Sequence, residues 1–267
     1  MVRRVGGVLM SAPMVEVIEH GPIREIRLAR PPVNALDPEL VAQLSAAIES
    51  APSGGARGIV LSGRPGMFSG GLDVPVLLQL DRDRLTTFLR DFFGLCGLIA
   101  CSPIPIVAAI TGHSPAGGAV LSIFCDYRVM ARSADPAKPF RIGLNEVQVG
   151  LSVPACIQFG LQRLVGTYRA ERLMVAGAML DSETALKIGF VDELADVDQV
   201  VPRSLAWMQD LLKLPSLAMS TTRRLVRRDL AETFADPGKW LLDEFAAAWF
   251  GAETQAVLQA LVARLKK

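Results

Sequence analysis

Apolar and polar residues alternate along Val15-Glu-Val-Ile-Glu19 and again along Glu25-Ile-Arg-Leu-Ala29, with His20-Gly-Pro22 between them. That period of two around a turn predicts a β-hairpin. Arg30-Pro-Pro-Val-Asn-Ala-Leu-Asp37 follows as a rigid loop, and Asp37 with Pro38 behind it starts a helix over residues 38–50. Residues 56–62 form a short strand of buried character. From 84 to 100 the period changes: Leu85, Phe88, Leu89, Phe92, Phe93, Cys96, Ile99 and Ala100 recur every three or four positions. This is an amphipathic core helix, and Phe92 or Phe93 is a secondary candidate for a pocket wall. Residues 103–111 read as a strand buried on both faces. A glycine-rich turn at 112–118 opens a helix at 119–124, and 126–131 is another strand.

Strand, glycine turn and helix thus occur twice, around Gly70–Leu72 and around Gly117–Gly118. The repeat predicts an α/β fold of stacked β-β-α turns, a spiral rather than a doubly wound nucleotide-binding sheet. Two prolines within residues 134–139 make that stretch a surface loop. Helical pattern resumes at 155–164, 170–176 and 182–188, the last capped by Ser182, with an extended piece at 189–194. Residues 200–267 are almost wholly helical in pattern. The expected organisation is a disordered leader at 1–13, a spiral core at 14–199 and a helical region at 200–267 that docks on the core. The basic face Arg223, Arg224, Arg227 and Arg228 reads as solvated, with ligand phosphates as the secondary reading. Trp240, Phe245, Trp249 and Phe250 read as a docking cluster against the core or a partner subunit.

Charge and composition remove several classes of function. Lys and Arg total 28 against 27 Asp and Glu, and no long basic run occurs, which argues against nucleic acid as a partner. Apolar runs such as 104–110 are too short to span a membrane. Four cysteines (Cys96, Cys101, Cys125, Cys156) lack metal-ligand spacing and sit among apolar residues, so they read as buried thiols of a reducing compartment. With two histidines, His20 and His113, a histidine-based metal site is not expected. The chain reads as cytoplasmic, with a mitochondrial address for the leader as the lesser reading.

The candidate chemistry centres on Phe140-Arg-Ile-Gly-Leu-Asn-Glu-Val-Gln-Val-Gly150, which sets Glu146 among apolar residues at a loop-to-helix junction. A carboxylate there has a raised proton affinity and can serve as a base near neutral pH; the plainer reading is a helix-start Glu favoured by the dipole. Gly63-Arg-Pro-Gly-Met-Phe-Ser-Gly-Gly-Leu-Asp73 and Gly112-His-Ser-Pro-Ala-Gly-Gly118 leave backbone N–H groups uncovered. No P-loop or dinucleotide fingerprint is present. Gly112-His-Ser-Pro-Ala116 approximates a serine nucleophile elbow, but no histidine follows it and Ala116 replaces the last glycine. Two N–H sources aimed at one oxygen, with one downstream carboxylate, describe proton abstraction beside a thioester carbonyl.

Pro-Pro-Val-Asn-Ala-Leu at 31–36, Met-Phe-Ser-Gly-Gly-Leu-Asp at 67–73, Pro-Ala-Gly-Gly at 115–118, Cys-Asp-Tyr-Arg at 125–128 and Ile-Gly-Leu-Asn-Glu-Val-Gln-Val-Gly at 142–150 occur in this order, followed by Gly189-Phe-Val-Asp-Glu and a tail ending Ala263-Arg-Leu-Lys. In these the chain resembles the enoyl-CoA hydratase/isomerase (crotonase) superfamily from about Val15 onward, and within it most resembles the Δ3,Δ2-enoyl-CoA isomerase branch. The resemblance implies a crotonase-type β-β-α spiral core, with the C-terminal helical region used in a homotrimer or dimer of trimers. It also implies an acyl-CoA thioester substrate and no metal or redox cofactor, CoA being part of the substrate. By position it makes Glu146 the catalytic base and the N–H groups of Leu72 and Gly117 the oxyanion hole. The CoA handle and acyl group fall to Ala35, Leu36, Ser69, Gly70, Leu72, Gly117 and Val120. Hydratases of the superfamily carry a second glutamate where this chain has Val120, so a one-base double-bond shift is implied rather than hydration. Asp73 and Asp126 read as structural. Another crotonase reaction, such as hydration or thioester hydrolysis, and a non-catalytic acyl-CoA-binding role stay open. The loop at 132–138 leaves the pocket entrance undefined.

Overall fold

The computed structural model describes residues 13–265; nearly all of the leader expected at 1–13 lies outside that range. The hairpin forms as β1 (Val15–His20) and β2 (Ile23–Leu28), paired antiparallel. Asp37 accepts a hydrogen bond from the Leu40 N–H and starts α1 (Pro38–Ser53), three residues longer than the pattern predicts. The spiral follows. Its first turn is β3 (Gly58–Ser62), β4 (Gly66–Met67), α2 (Val74–Leu77) and α3 (Arg82–Cys101). The second is β5 (Ile106–Ile110), β6 (Gly112–Pro115) and α4 (Gly117–Ile123). The third is β7 (Tyr127–Arg132), β8 (Arg141–Gly143), a 3-10 turn at Glu146–Val149 and α5 (Ala155–Val165).

Each turn gives one strand to each of two sheets. β3, β5 and β7 lie parallel in a six-stranded sheet of order β1-β2-β3-β5-β7-β10, where β10 is Glu193–Asp196. β4, β6 and β8 lie parallel in a second sheet, closed by β9 (Leu180–Asp181) running antiparallel to β8. Residues 112–115, expected as a turn, are therefore the strand β6. The turn from one sheet to the next is so tight that a Cβ on Gly112 would overlap the backbone of Gly66.

Parallel strands covered on both faces carry apolar side chains at every position. Ile59 and Leu61 of β3, with Ile106, Ala108 and Ile110 of β5, face the main core with α1, α3 and α4. Val60, Val107, Ala109 and Val129 face the other way, onto Val200 and Met208 of α8 (Val200–Leu211). Between these lie α6 (Thr167–Val175) and α7 (Ser182–Lys187); Asp181, not Ser182, caps the latter, its carboxylate accepting from the Thr184 N–H at 2.7 Å.

The tail continues as α9 (Ser216–Val226), α10 (Arg228–Phe234), a 3-10 turn at Pro237–Trp240, α11 (Leu242–Trp249) and α12 (Ala252–Leu265). Trp240, Phe245 and Trp249 are buried in the main core, and Phe93 meets the first two edge-on at 6.1 and 6.4 Å. Phe250 stays 39% exposed, apart from that cluster.

Arg223 and Arg227 correct the expectation of a solvated basic face. Arg223 binds the Asp126 carboxylate at 2.7 and 2.9 Å and donates to the Ser102 carbonyl; Arg227 reaches Asp126 at 3.3 Å and the carbonyls of Ala100 and Phe124. The carbonyls left open at the C-terminal ends of α3 and α4 attract these guanidinium groups. Asp126 also accepts from the Ile106 N–H at 2.8 Å, a structural role. Cys101 departs from its expectation as well: it is exposed, while Cys96, Cys125 and Cys156 are buried and free. No helix among the described residues is long and apolar enough to cross a membrane.

Candidate active site

The loops after β2, β4, β6 and β8 meet one face of α3 and the two last helices around a cavity of about 680 Å³. Ala35, Gly70, Leu72, Gly117, Val120 and Glu146 all line it. Leu36 and Ser69 lie behind its wall, both fully buried. The Ser69 hydroxyl donates to the Asn34 carbonyl at 2.7 Å and accepts from the Gly71 N–H at 3.2 Å. Leu36 sets a limit on Gly117, since a Cβ there would sit 2.9 Å from Leu36 Cδ1. Phe92 and Phe93 belong to the core and to the cavity wall at once. No residue of the 132–138 loop lines the cavity.

Glu146 opens the 3-10 turn three residues past the end of β8. Gly150 ends that turn at φ +78°, a conformation that suits glycine, and its carbonyl accepts the Thr254 hydroxyl of α12 at 2.8 Å. The carboxylate is thus held between the sheet and the C-terminal helix. Its Oε2 is buried with no hydrogen-bond partner. Burial pushes its pKa from 4.5 to about 7, and only its own backbone N–H opposes the rise. Next to it, Asn145 Oδ1 is also buried and unpartnered.

Leu72 and Gly117 are brought together by the spiral. In a bridge between Leu36 and Leu72, the Leu36 N–H donates to Gly71 O at 2.7 Å and the Asp73 N–H to Leu36 O at 2.9 Å. Those bonds flank Leu72 and turn its own N–H away from the bridge. Gly117 is the first residue of α4, where the N–H has no acceptor within the helix. Neither N–H donates to a protein acceptor among the described residues. A Cβ placed on Gly71 (φ +83°) would lie 3.3 Å from the Gly117 nitrogen, so the two glycine turns touch. Ala116, at φ +44°, holds the entry to α4 in a strained conformation, tied by its N–H to Gly143 O at 2.8 Å.

The wall of α4 brings no second carboxylate, and the nearby Asp73 is already paired. Val120, 1% exposed, occupies that wall. Asp73 accepts the Val76 N–H at 3.0 Å and pairs with Arg30 at 2.6 Å; Arg30 also reaches Asp37 at 3.0 Å. Among the described residues, no cluster of three or more His, Cys, Asp or Glu side chains is arranged to hold a metal ion. Asn145, Ala116, Trp249 and the tail residues Leu261, Arg264 and Leu265 line the cavity without having been singled out for it from the sequence. Asn145 had a usable signal, adjacency to Glu146. The tail residues had none, because only the packing of α12 brings them there.

One cavity thus brings together a carboxylate whose Oε2 is buried and unpartnered and two residues whose backbone N–H groups have no protein acceptor among the described residues. The family model for enoyl-CoA hydratase/isomerase matches residues 19–240, and the chain belongs to that family. It is 28% identical over 256 residues to enoyl-CoA delta isomerase 1, mitochondrial, of Rattus norvegicus, covering 95% of this chain and 87% of that one. It is 31% identical over 197 residues to the probable enoyl-CoA hydratase EchA17 of Mycobacterium tuberculosis, 73% of each chain. The crystal structure of human mitochondrial Δ3,Δ2-enoyl-CoA isomerase superposes with a TM-score of 0.88 at 27% identity, covering 95% of this chain and 98% of that one. The crotonase-type α/β fold and membership of an acyl-CoA enzyme family stand on these matches.

Proposed function

We propose that the protein is an enoyl-CoA isomerase that moves the double bond of a 3-enoyl-CoA to the 2-position. The observation that carries this is the state of Glu146: half-buried in the cavity wall, its Oε2 buried and unpartnered, with a pKa of about 7 and no second carboxylate at Val120. The Glu146 carboxylate takes a proton from C2. The C–H electron pair moves into the C2–C1 bond as the thioester carbonyl becomes an enolate oxygen, which the Leu72 and Gly117 N–H groups hold. The electrons then return through C2 to form the C2–C3 double bond, the C3–C4 π pair takes the proton at C4 from Glu146, and the carboxylate is restored. Every proton and electron pair is accounted for within substrate and Glu146, so the step calls for no metal or redox cofactor.

In this reading Ala35 and Gly70 meet the CoA handle at the cavity wall, framed by Leu36 and Ser69, and Val120 meets the acyl carbons. A trimer, or a dimer of trimers, would cover apolar side chains left open on α9, where Leu217 is 80% and Val226 61% exposed. The cytoplasm is the proposed location. The test is conversion of a 3-enoyl-CoA, followed by conjugated-thioester absorbance and product mass. The reading predicts rising absorbance with no mass gain, abolished in Glu146→Gln. Water added to a 2-enoyl-CoA at a comparable rate would replace isomerisation with hydration.

A further inference from the structure

The 3-10 turn that carries Glu146 has no side-chain cap of its own. Asn145 stands at its start and makes no capping hydrogen bond, although asparagine is a favoured capping residue. The Glu146 side chain is not anchored at Oε2 either. The direction of the carboxylate therefore follows the backbone of the turn and whatever that backbone leans on. Within the turn, the Glu146 carbonyl accepts the Leu151 N–H at 3.1 Å, which couples the base to the Gly150–Leu151 peptide. Two side-chain hydrogen bonds tie this piece to the rest of the fold. Gln148, exposed, donates to the Gly177 carbonyl at 2.9 Å. Thr254, 5% exposed on α12, donates to the Gly150 carbonyl at 2.8 Å. The second contact is the tighter fit: a Cβ on Gly150 would lie 3.0 Å from Thr254 Oγ1 and 3.1 Å from its Cα.

Thr254 shares one face of α12 with Leu258, Leu261 and Leu265, at spacings of four, three and four. Leu258 is buried in the main core, and Leu261 and Leu265 line the cavity. One helix face thus grips the turn of the base at one end and forms cavity wall at the other. Thr254 itself does not line the cavity. Resting on the isomerase reading above, we infer that Thr254 is a positioning residue for the reaction: its hydroxyl, through the Gly150 carbonyl, fixes the turn so that Glu146 stays in line with C2 and C4 and away from water. Loosening that tie costs rate and not binding, because a small displacement of the base spoils proton transfer while the substrate keeps its contacts. The other charged groups on the cavity are Arg30, Asp73 and Arg264, the first two paired with each other at 2.6 Å. Burial raises the pKa of Glu146 and no charged side chain contributes, so water reaching a loosened turn would lower it.

The experiment compares steady-state kinetics of a 3-enoyl-CoA across pH in the wild type, Thr254→Val and Thr254→Ser. Valine keeps the shape and removes the donor. It is expected to lower kcat about tenfold or more, leave KM within about twofold, and move the rising limb of kcat/KM downward from near pH 7. Serine keeps the hydroxyl and is expected to restore both the rate and the limb. Ser204→Ala on α8 removes another buried hydroxyl, one that donates to the Val200 carbonyl at 2.8 Å, and is the control for lost stability alone. It is expected to lower Tm and leave kcat and the limb unchanged. Thr254→Ala, which favours the helix, carries the same expectation as valine should the valine variant not fold. Wild-type kcat and limb in a folded Thr254→Val or Thr254→Ala, with only Tm lowered as in Ser204→Ala, overturn the inference alone. A wild-type protein that converts no 3-enoyl-CoA overturns it together with the isomerase reading.

Discussion

Two glutamates in this molecule, Glu25 buried and Glu146 half-buried with its Oε2 shut off from solvent, have opposite fates. Glu25, on β2, is 1% exposed, yet every side of its carboxylate is met: Ser62 donates at 2.7 Å, Arg27 at 2.9 and 3.1 Å, and His20 Nε2 lies at 2.9 Å. Burial alone would raise its pKa, but the bonds to Ser62 and His20 and the charge of Arg27 outweigh it and leave the pKa below the ordinary value. Glu146 is desolvated at its carboxylate and lacks the partners, so its pKa rises to about 7. The first carboxylate is spent on holding β1, β2 and β3 together. The second has an unpartnered oxygen and a raised proton affinity, which is what the proposed role as a base requires.

The widest gap between the two should appear in activity. Glu146→Gln is expected to lower kcat about 10²–10⁴-fold, measured by conjugated-thioester absorbance. Glu25→Gln is expected to leave kcat within about twofold while lowering stability by about 2–4 kcal/mol in urea unfolding, because Arg27, Ser62 and His20 lose their anion. Equal losses of activity in the two variants would erase the contrast.

Stability against pH should separate them in sign. The folded protein holds a proton on Glu146 that the unfolded chain releases, so stability falls as pH rises from about 4.5 to about 7, by up to about 3 kcal/mol. Glu146→Gln should remove this fall, making the variant the more stable protein above pH 7. Glu25 has the opposite sign: its contribution is complete above the ordinary carboxylate range and is lost as pH drops through its lowered pKa. Thermal melts of both variants across pH check the two signs together.

A smaller effect tests Val120, which shares the cavity wall with Glu146. Val120→Glu puts a second carboxylate into the wall of α4. Like-charge repulsion should then shift the rising limb of kcat/KM from near pH 7 by about one unit upward. A limb that stays put would mean that the new carboxylate turns away from Glu146.

Much of this was legible in the chain. The hairpin, α1, α3 and the repeated strand–turn–helix spiral follow from period, caps and glycine placement, and Glu146 was marked by its apolar flanks. What escaped depends on distance in sequence. Arg223 and Arg227 look like a solvated face until α9 is seen to lie over Asp126 and the end of α3. Residues 112–115 look like a turn because their pairing with β4 and β8 is supplied by other turns of the spiral. Trp249 reads as core from its neighbours, and so it is; only the packing of α11 also sets it on the cavity.

The central claim, that one unpartnered carboxylate carries the proton both ways, is tested most directly by isotope transfer. A 3-enoyl-CoA deuterated at C2 is converted in ordinary water, and the product is examined by mass spectrometry and NMR for deuterium at C4. A single buried base predicts that a measurable fraction of the product keeps its label, moved from C2 to C4, with the fraction falling as solvent exchange competes. Conversion at full rate with C4 protonated wholly from water in single-turnover experiments, and undiminished in Glu146→Gln, would contradict it.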